Sequence, residues 1–359
     1  MSPFRTTRQP RIPPRLRLRR LGLAAAALAV VAGAQAQSVN VYGVLDLWAG
    51  QNQATTAAGA RSTVRQLTSG GMTTSYWGVG GREDLGGLTA VFAVESFLRV
   101  DSGAPARSDT DAFWARAAQV GLQGNGWGEL VVGRTGTPTI GALFSTTSFL
   151  DSTGFGSSFI NHWGGIVQGD TAMNNSVRYT SPLRGGLRVL VQGSLGEERF
   201  GPPDRSRGRA YDARLDYING PLLATLATRK IDASTGNDGR KQTMWIAGVA
   251  YDLKVVRLFA QHVTVDDRYS NATSDVDRSG FSFGARIPVG TGVVMLSHSR
   301  SSIDDTSSAT PSRRRTSSIG YDYNLSKRTD VYANLMLDDF KAPRGTKTER
   351  IGLGIRHRF

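Results

Sequence analysis

Few side chains in this sequence could do acid–base, nucleophilic or metal chemistry, and those few are scattered. The four histidines, His162, His262, His298 and His357, stand far apart, and none lies in an H-E-x-x-H spacing or a serine-elbow motif. His298 has a serine on each side, but successive side chains on a strand face opposite ways. Cysteine is absent. The sequence therefore predicts no enzyme, no metal site and no cofactor.

Arginine is the side chain whose placement suggests a function. Between Arg134 and Arg178 there is no Lys, Arg or Glu, and the only acids are Asp151 and Asp170. A wall of arginines facing such a weakly acidic segment across confined water would order dipolar solutes and select ions by sign. We therefore expect a pore constriction or lumen lined by these four residues together with Arg116 and Arg188.

These arginines must be positioned by strands in which apolar and polar residues alternate. At the end of the sequence, Ile351, Leu353 and Ile355 alternate with Gly352, Gly354 and Arg356. An apolar outside and a cationic inside suit a transmembrane barrel with a wet lumen. The mean hydropathy of −0.26, with 43 glycines, is low for a helical membrane protein.

The first 36 residues have the layout of a secretory signal peptide. Seven arginines and no acid precede an apolar run from Leu21 to Gly33 and an Ala-Gln-Ala cleavage site that ends at Ala36. Removal of this segment leaves 36 basic residues against 29 acidic ones, so the net charge falls from +14 to about +7. The remaining arginines are spread at strand spacing, which argues against nucleic-acid binding.

The predicted mature domain, residues 37–359, divides into sixteen segments of about ten residues each. We predict strands over 38–49, 72–82, 87–99, 111–124, 127–134, 173–181, 186–196, 208–218, 221–231, 241–252, 255–266, 277–288, 291–301, 313–324, 328–339 and 349–359. Tight turns alternate with longer polar connections such as 50–71 and 100–110. This alternation predicts an all-β fold, a sixteen-stranded antiparallel transmembrane β-barrel with short periplasmic turns and long outer loops.

The faces of several strands can be assigned from the alternation. Over 186–196 we expect Leu187, Val189, Val191 and Leu195 to face lipid, and over 277–288 we expect Phe281, Phe283, Ala285 and Ile287 to do so. A charge on the lipid face near the bilayer centre costs roughly 2–4 kcal/mol, so Arg188 and Arg286 should point into water.

The connection over residues 135–172 is much longer than the others. It is rich in Gly, Ser, Thr and aromatic residues, a composition that favours packing. Long loops are usually functional or disordered. We expect it to fold into the lumen as a constriction loop; the alternative is an outer lid that never enters the pore.

Several ordered motifs resemble the trimeric general porins of β-proteobacteria such as Comamonas, Bordetella, Burkholderia and Neisseria. They are SVNVYGVLD over 38–46, EDLGGL over 83–88, VES over 94–96, VGLQG over 120–124, VGR over 132–134, NNSVRYTSP over 174–182 and GIRHRF over 354–359. The resemblance covers the whole predicted mature chain. It implies a homotrimer of sixteen-stranded barrels, each with its third outer loop folded into the pore, and passive diffusion of small hydrophilic solutes, often with anion preference.

One motif departs from the family pattern. The second strand of the family usually carries arginines in an S-R-x-G-x-R-G pattern, whereas residues 75–81 read SYWGVGG, with Tyr76 and Gly80 at the arginine positions. Part of the cationic cluster is therefore missing, so we expect the anion preference to survive in a weaker form. Arg116 and Arg134 match retained positions, and Glu95 of the VES motif is placed with the lumen residues.

The sequence thus predicts an outer-membrane porin that passes small hydrophilic solutes and ions. The rival interpretation is a substrate-specific channel for phosphate, organic acids or sugars. The expected partners are two further copies of the chain, the lipid bilayer and the solutes themselves. Basic stretches such as residues 313–315 could bind the phosphates of outer-leaflet glycolipid or simply be solvated.

Overall fold

Alternation of apolar and polar residues produces sixteen barrel strands in the part of the chain that the structure describes. The structure is a computed structural model, and it describes residues 38–164, 166–196, 208–233, 239–270, 275–306, 311–342 and 345–359. The predicted signal peptide, residues 1–36, lies outside the described residues.

The strands follow one another around the ring. They are β1 (Ser38–Thr56), β2 (two segments, Arg61–Ser69 and Tyr76–Asp84), β3 (Thr89–Arg99), β4 (Ala117–Gly124), β5 (Gly128–Gly136), β6 (Ala172–Thr180), β7 (Leu187–Ser194), β8 (Ala210–Asn219), β9 (Leu222–Asp232), β10 (Lys241–Asp252), β11 (Arg257–Arg268), β12 (Val276–Val289), β13 (Gly292–Asp305), β14 (Ser312–Asn324), β15 (Thr329–Lys341) and β16 (Thr346–Arg358). A short pairing of Ala104–Pro105 with the end of β3 lies outside this ring.

The last strand pairs with the first and closes the barrel. The antiparallel register of β1 and β16 runs from Val44 opposite Arg358 to Thr56 opposite Thr346. Closure satisfies the backbone polar groups of every strand from within the sheet, which is what a lipid environment demands. The predicted sixteen-stranded antiparallel barrel is confirmed.

The first hairpin is taller than the sequence patterns indicated. The predicted connection over 50–71 instead contains the upper part of β1 and the first segment of β2, which pair from Leu47 with Ser69 to Thr55 with Arg61. Between the two segments of β2 the chain turns towards Asp46. The Asp46 carboxylate accepts hydrogen bonds from the backbone N–H groups of Gly71 (3.0 Å), Met72 (2.8 Å) and Thr73 (2.7 Å). Most of the stretch predicted as a loop is therefore strand, and the buried Asp46 carboxylate satisfies three backbone N–H groups at the break in β2.

The predicted faces are confirmed on the strands where they were assigned. Phe281 and Phe283 are exposed on the outside of β12, and Ser282 between them is buried inside. On β7, Val189 and Val191 are exposed outside, and Gln192 is buried inside. The lipid-facing surface is therefore apolar, and the polar positions of the strands line the lumen.

Two short helices interrupt the long connection between β5 and β6. They are α1 (Pro138–Ser145) and α2 (Ser157–His162). None of the described helices is long and apolar enough to cross a membrane. Both helices contact inner strand faces, α1 against β8, β9 and β10 and α2 against β12, β13 and β14. The expectation that this loop folds into the lumen is confirmed.

Candidate functional site

The constriction loop, defined here as residues 137–171, enters the lumen through α1. Thr137 caps the helix by accepting a hydrogen bond from the Ile140 backbone N–H (3.4 Å), and Pro138 fits the first turn, where its missing N–H is not needed. Ile140 and Leu143 then pack with Ile246 and other inward apolar side chains of β9 to β11. The loop is anchored to the wall by a small apolar cluster inside the barrel.

The second helix is held by hydroxyl and amide groups. The Ser157 hydroxyl lies 2.7 Å from that of Ser299, and the His162 Nε2 lies 2.9 Å from the Ser282 hydroxyl. Burial lowers the pKa of His162 to about 3, so its imidazole is neutral near pH 7. These small inward side chains explain why β12 and β13 carry so many serines and glycines: they leave room for the loop.

Aromatic packing closes the other end of the loop against the first and last strands. The ring of Phe155 meets that of Trp48 edge to face, with centroids 5.1 Å apart. Phe149, Met295 and Met336 complete this cluster. The loop is therefore fastened along the inner wall from β8 to β16 and on to β1, and no described hydrogen bond joins its residues 137–164 to β3 or β4.

The wall opposite the loop carries the first pair of predicted lumen residues. Arg116 forms an ion pair with Glu95, with 2.7 Å between Nη1 and Oε2, and its guanidinium lies over the ring of Tyr76, 3.7 Å from the centroid. The Tyr42 hydroxyl donates to the same carboxylate (2.7 Å). Tyr76, which stands where the resemblance led us to expect arginine, thus contributes a cation–π contact.

Arg134 and Asp170 are also brought together, as one part of a larger cluster. The Arg134 guanidinium lies 2.5 Å from the Asp170 carboxylate. Arg107 donates to both oxygens of Asp170 (2.8 and 2.7 Å) and to both oxygens of Asp111. Burial alone would raise the pKa of Asp170, but the hydrogen bond and charge of Arg107, aided by Arg134, lower it to about 2.

Arg107 ties an outer loop to the end of the constriction loop, yet it was absent from the predicted site. It lies in the polar connection over 100–110, where its spacing to Asp111 was the only local signal. Nothing in the sequence indicated that Asp170, 63 residues away, would lie beside it. We refer to Arg107, Asp111, Arg134 and Asp170 as the latch.

The other predicted residues are distributed around the lumen. Arg178 lies 3.6 Å from Glu129 and donates to the Gly136 carbonyl (3.1 Å), and Arg188 pairs with Asp216 (2.7 Å). Asp151 accepts a hydrogen bond from Thr73 (3.3 Å), and burial raises the pKa of its carboxyl. The seven predicted residues therefore do not form one cluster.

Each of the four predicted arginines is charge-compensated by an acid. Other inward arginines, among them Arg257, Arg286, Arg350 and the fully buried Arg229, have no acid within ion-pair distance among the described residues. Arg286 donates to the Ser148 carbonyl of the loop (2.9 Å), and Arg350 donates to the Gly154 carbonyl. A carbonyl dipole satisfies a hydrogen-bond donor but does not cancel its charge, so no ion pair offsets the positive charge of Arg286 and Arg350. Asp322 attracts Arg286, and Asp338 attracts Arg350, only from beyond ion-pair distance.

Arg257 and Arg286 also stand next to each other. They are directly opposed in the register of β11 and β12, close to the short turns that end these strands. Neighbouring cations repel each other and raise the positive potential of the water between them and the loop. We refer to these two residues as the lumen pair.

The arrangement suits selective passage through water. No group of three or more metal-ligating side chains occurs among the described residues. The loop narrows the lumen from one side, hydroxyl, amide and guanidinium groups line what is left, and fixed charges of both signs face the passage. Such a lining can favour ions of one sign and orient polar solutes.

Comparison with known proteins agrees with this geometry. A family model described as Gram-negative porin matches residues 24–343. An outer membrane porin protein of Bordetella pertussis is 30% identical over 392 residues, covering 94% of this chain and 99% of the relative. Outer membrane porin protein 32 of Delftia acidovorans is 30% identical over 325 residues, covering 87% of each. The solved anion-selective porin from Comamonas acidovorans superposes with a TM-score of 0.77 at 26% identity and covers 90% of this chain and 100% of that one.

Proposed function

The chain belongs to the Gram-negative porin family, and on that premise we propose that its narrowed lumen passes small anions in preference to cations. It is an outer-membrane porin, whose water-filled channel lets small hydrophilic solutes and ions diffuse passively. The solved porin from Comamonas acidovorans is described as anion-selective, which supports a preference for anions in this channel too.

The observation that carries the proposal is the imbalance of charge in the lumen. Arg116, Arg134, Arg178 and Arg188 face acids at 2.5 to 3.6 Å, so each is largely neutralised for a distant ion. The lumen pair and Arg350 have no such partner, and we assign the positive field along the passage to them. Three inward acids also lack an ion pair among the described residues, but Asp46 and Asp212 are buried, and burial raises the pKa of Asp151, which favours its uncharged form. The paired residues, with Glu95, Asp151 and Asp170, shape the constriction and supply local polar contacts.

We assign no catalytic step to this chain. As a member of a channel family it is a passage for solutes, and its buried hydroxyl and imidazole groups hold the loop. Ser282, for example, is shared between His162 (2.9 Å) and Ser299 (2.6 Å).

The proposed assembly is a homotrimer. Ile319 of β14, Leu335 of β15 and Ile351 of β16 lie side by side on the outer face of the barrel. At the same level of the sheet, β1 and β2 carry the polar residues Gln51 and Arg65. Polar side chains at that depth are costly against lipid and acceptable against another protein surface. Native mass spectrometry of the folded protein should give a trimer; a monomer at all detergent concentrations would exclude this assembly.

The proposed mature chain begins at Gln37. Cleavage after Ala36 would remove the seven arginines of the signal segment and leave the barrel strands intact. The mass of the protein recovered from outer membranes tests this boundary directly.

The decisive experiment is electrical. The folded mature chain is inserted into a planar bilayer, and single-channel conductance and reversal potential are measured under a salt gradient. We expect large currents that do not saturate, and a reversal potential whose sign shows that anions pass more readily than cations. Saturating currents blocked by one solute class would indicate a substrate-specific channel, and a reversal potential of cation sign would refute the proposed preference.

A further inference from the structure

A small cavity is set into the inner wall between β1 and β5, towards the short turns. Its volume is about 260 Å³, and it is lined chiefly by Asn40, Tyr42, Gly80, Arg82, Gln119 and Glu129. None of these residues belongs to the constriction loop or to the latch. We refer to this feature as the wall cavity.

Small residues in one row of the inner wall leave the space for this cavity. Gly80, Ala93 and Gln119 lie opposite one another in the register of β2, β3 and β4. They share the inner face with Glu95, which lies two residues after Ala93. A Cβ at Gly80 would lie 3.2 Å from the Tyr42 ring, so a larger side chain there would project beside Tyr42 into the cavity.

The lining offers hydrogen-bonding groups that the protein does not itself use. The side-chain amides of Asn40 and Gln119 make no hydrogen bond within the described part of the chain. Arg82 donates to Gln123 through one terminal nitrogen, and its other N–H groups stay available. An amide presents a donor and an acceptor together, and so does a solute hydroxyl. The cavity therefore matches a solute that carries several hydroxyl groups.

Charges of both signs border the cavity. Arg82 is exposed to water on one side, and on the other the Glu129 carboxylate lies 3.6 Å from the Arg178 guanidinium. An ion of either sign meets repulsion as well as attraction here, whereas a neutral solute meets neither. This setting differs from that of the lumen pair, where two cations stand side by side.

The remaining lining is apolar, and the space is small. Val91 and the ring of Tyr42 border the cavity beside the amides. Pockets that bury drug-sized ligands run from roughly 300 Å³ upwards, so the occupant is smaller than such a ligand. A single sugar ring has this size, and it carries apolar C–H groups between its hydroxyls.

We infer that the wall cavity binds a neutral polyhydroxylated ring, such as one hexose unit, during its passage through the channel. The hydroxyls exchange hydrogen bonds with Asn40 and Gln119, and a C–H face lies against Tyr42 and Val91. Because the cavity is set into the wall, its occupant is held without closing the passage. The inference rests on the water-filled channel and not on the proposed ion preference.

The test measures binding of glucose to the folded mature barrel in detergent by saturation-transfer NMR. The variant Q119L keeps a side chain of similar size and removes its amide. Since a neutral hydrogen bond contributes a factor of roughly 2 to 12 in affinity, the Kd for glucose should rise roughly fivefold or more. G80L should abolish binding by filling the cavity. The matched control Q66L makes the same change as Q119L in the first segment of β2, opposite Gly50 and nearer the long loops, and should bind like the wild type.

Charged rings test the assignment to a neutral solute. Glucuronate and glucosamine keep the sugar ring and add one negative or one positive charge, and both should bind more weakly than glucose. Tighter binding of either would overturn the assignment, and equal binding of glucose to the wild type, Q119L and G80L would overturn the site. Single-channel conductance of Q119L in salt alone should equal that of the wild type, which shows that the variant is folded. A conducting channel that does not bind glucose would refute the site and leave the proposed function standing.

Discussion

Removal of the lumen pair should weaken the anion preference of the channel. The variant R257Q/R286Q keeps a polar side chain at each position, though a shorter one with fewer donors, and loses two positive charges that have no acidic partner within ion-pair distance among the described residues. The outward pair in R300Q/R315Q is the matched control, because it removes two cross-strand arginines from the other face of the same wall.

The expected size of this change in ion preference follows from Coulomb's law in water. For an ion about 7 Å from each guanidinium, two charges contribute about 1.2 kcal/mol at a dielectric constant of about 80. Screening at about 0.1 M salt, with a Debye length of about 10 Å, halves this to about 0.6 kcal/mol. An anion loses this stabilisation and a cation gains it, so the ratio of anion to cation permeability should fall about sevenfold.

Reversal potentials under a salt gradient measure this ratio, and the salt dependence checks the cause. At about 1 M salt the Debye length is about 3 Å, and the same variant should change the ratio less than about twofold. A ratio unchanged at low salt, or an equal change in R300Q/R315Q, would refute the assignment of the preference to the lumen pair. A change that persists at high salt would indicate altered pore shape.

Three other perturbations have definite expected outcomes. The pKa of Asp170 is about 2, below the ordinary value of about 3.9, so its contribution to holding the latch is complete above about pH 4 and is lost as the pH falls through 2. Open-channel current noise of the wild type should therefore rise between about pH 4 and pH 2, whereas D170N should be noisy already at pH 7; a quiet D170N channel would count against the latch. A Cβ at Gly284 would collide with Ser148, so G284V should displace the loop and change single-channel conductance, while G193V, at a glycine with open space around it, should not. D46A leaves three backbone N–H groups at the break in β2 without their acceptor, which should lower the free energy of unfolding by about 3 kcal/mol or more; a loss below about 1 kcal/mol in guanidinium unfolding would show that water replaces the carboxylate.

Strand number and faces could be predicted because a barrel wall is a periodic object. Each strand repeats the same alternation, so Phe281 and Phe283 outside and Ser282 inside follow from local sequence. The height of the first hairpin could not be predicted from the sequence. Its outer side carries polar residues such as Gln51 and Arg65, so it lacks the alternation of apolar and polar residues that marks a lipid-facing strand. Contact with something other than lipid removes the pattern that prediction relies on.

The arginines of the site illustrate the same limit in the lumen. The sequence could indicate that arginines such as Arg188 and Arg286 point into water, because their strands have a clear apolar face. It could not indicate which of them meet an acid. Glu95 lies beside Arg116 after a separation of 21 residues, whereas Arg257 lies opposite Arg286 with no acid within ion-pair distance among the described residues. Net charge at a point in the lumen is set by register between strands, which single-sequence patterns do not contain.

The docked constriction loop also constrains how the barrel folds. Its hydrogen bonds reach across large separations in the chain, 140 residues from Ser157 to Ser297 and 155 residues from Asn161 to Thr316. Contacts at such separations form late, because the entropy of closing the intervening chain must first be offset by the pairing of the strands between them. The loop therefore cannot find its partners until β8 to β14 stand side by side, and by then the curved sheet already surrounds it. Docking of the loop and closure of the ring are a single late event, so a closed barrel with an undocked loop, which would be a wide and unselective pore, does not accumulate.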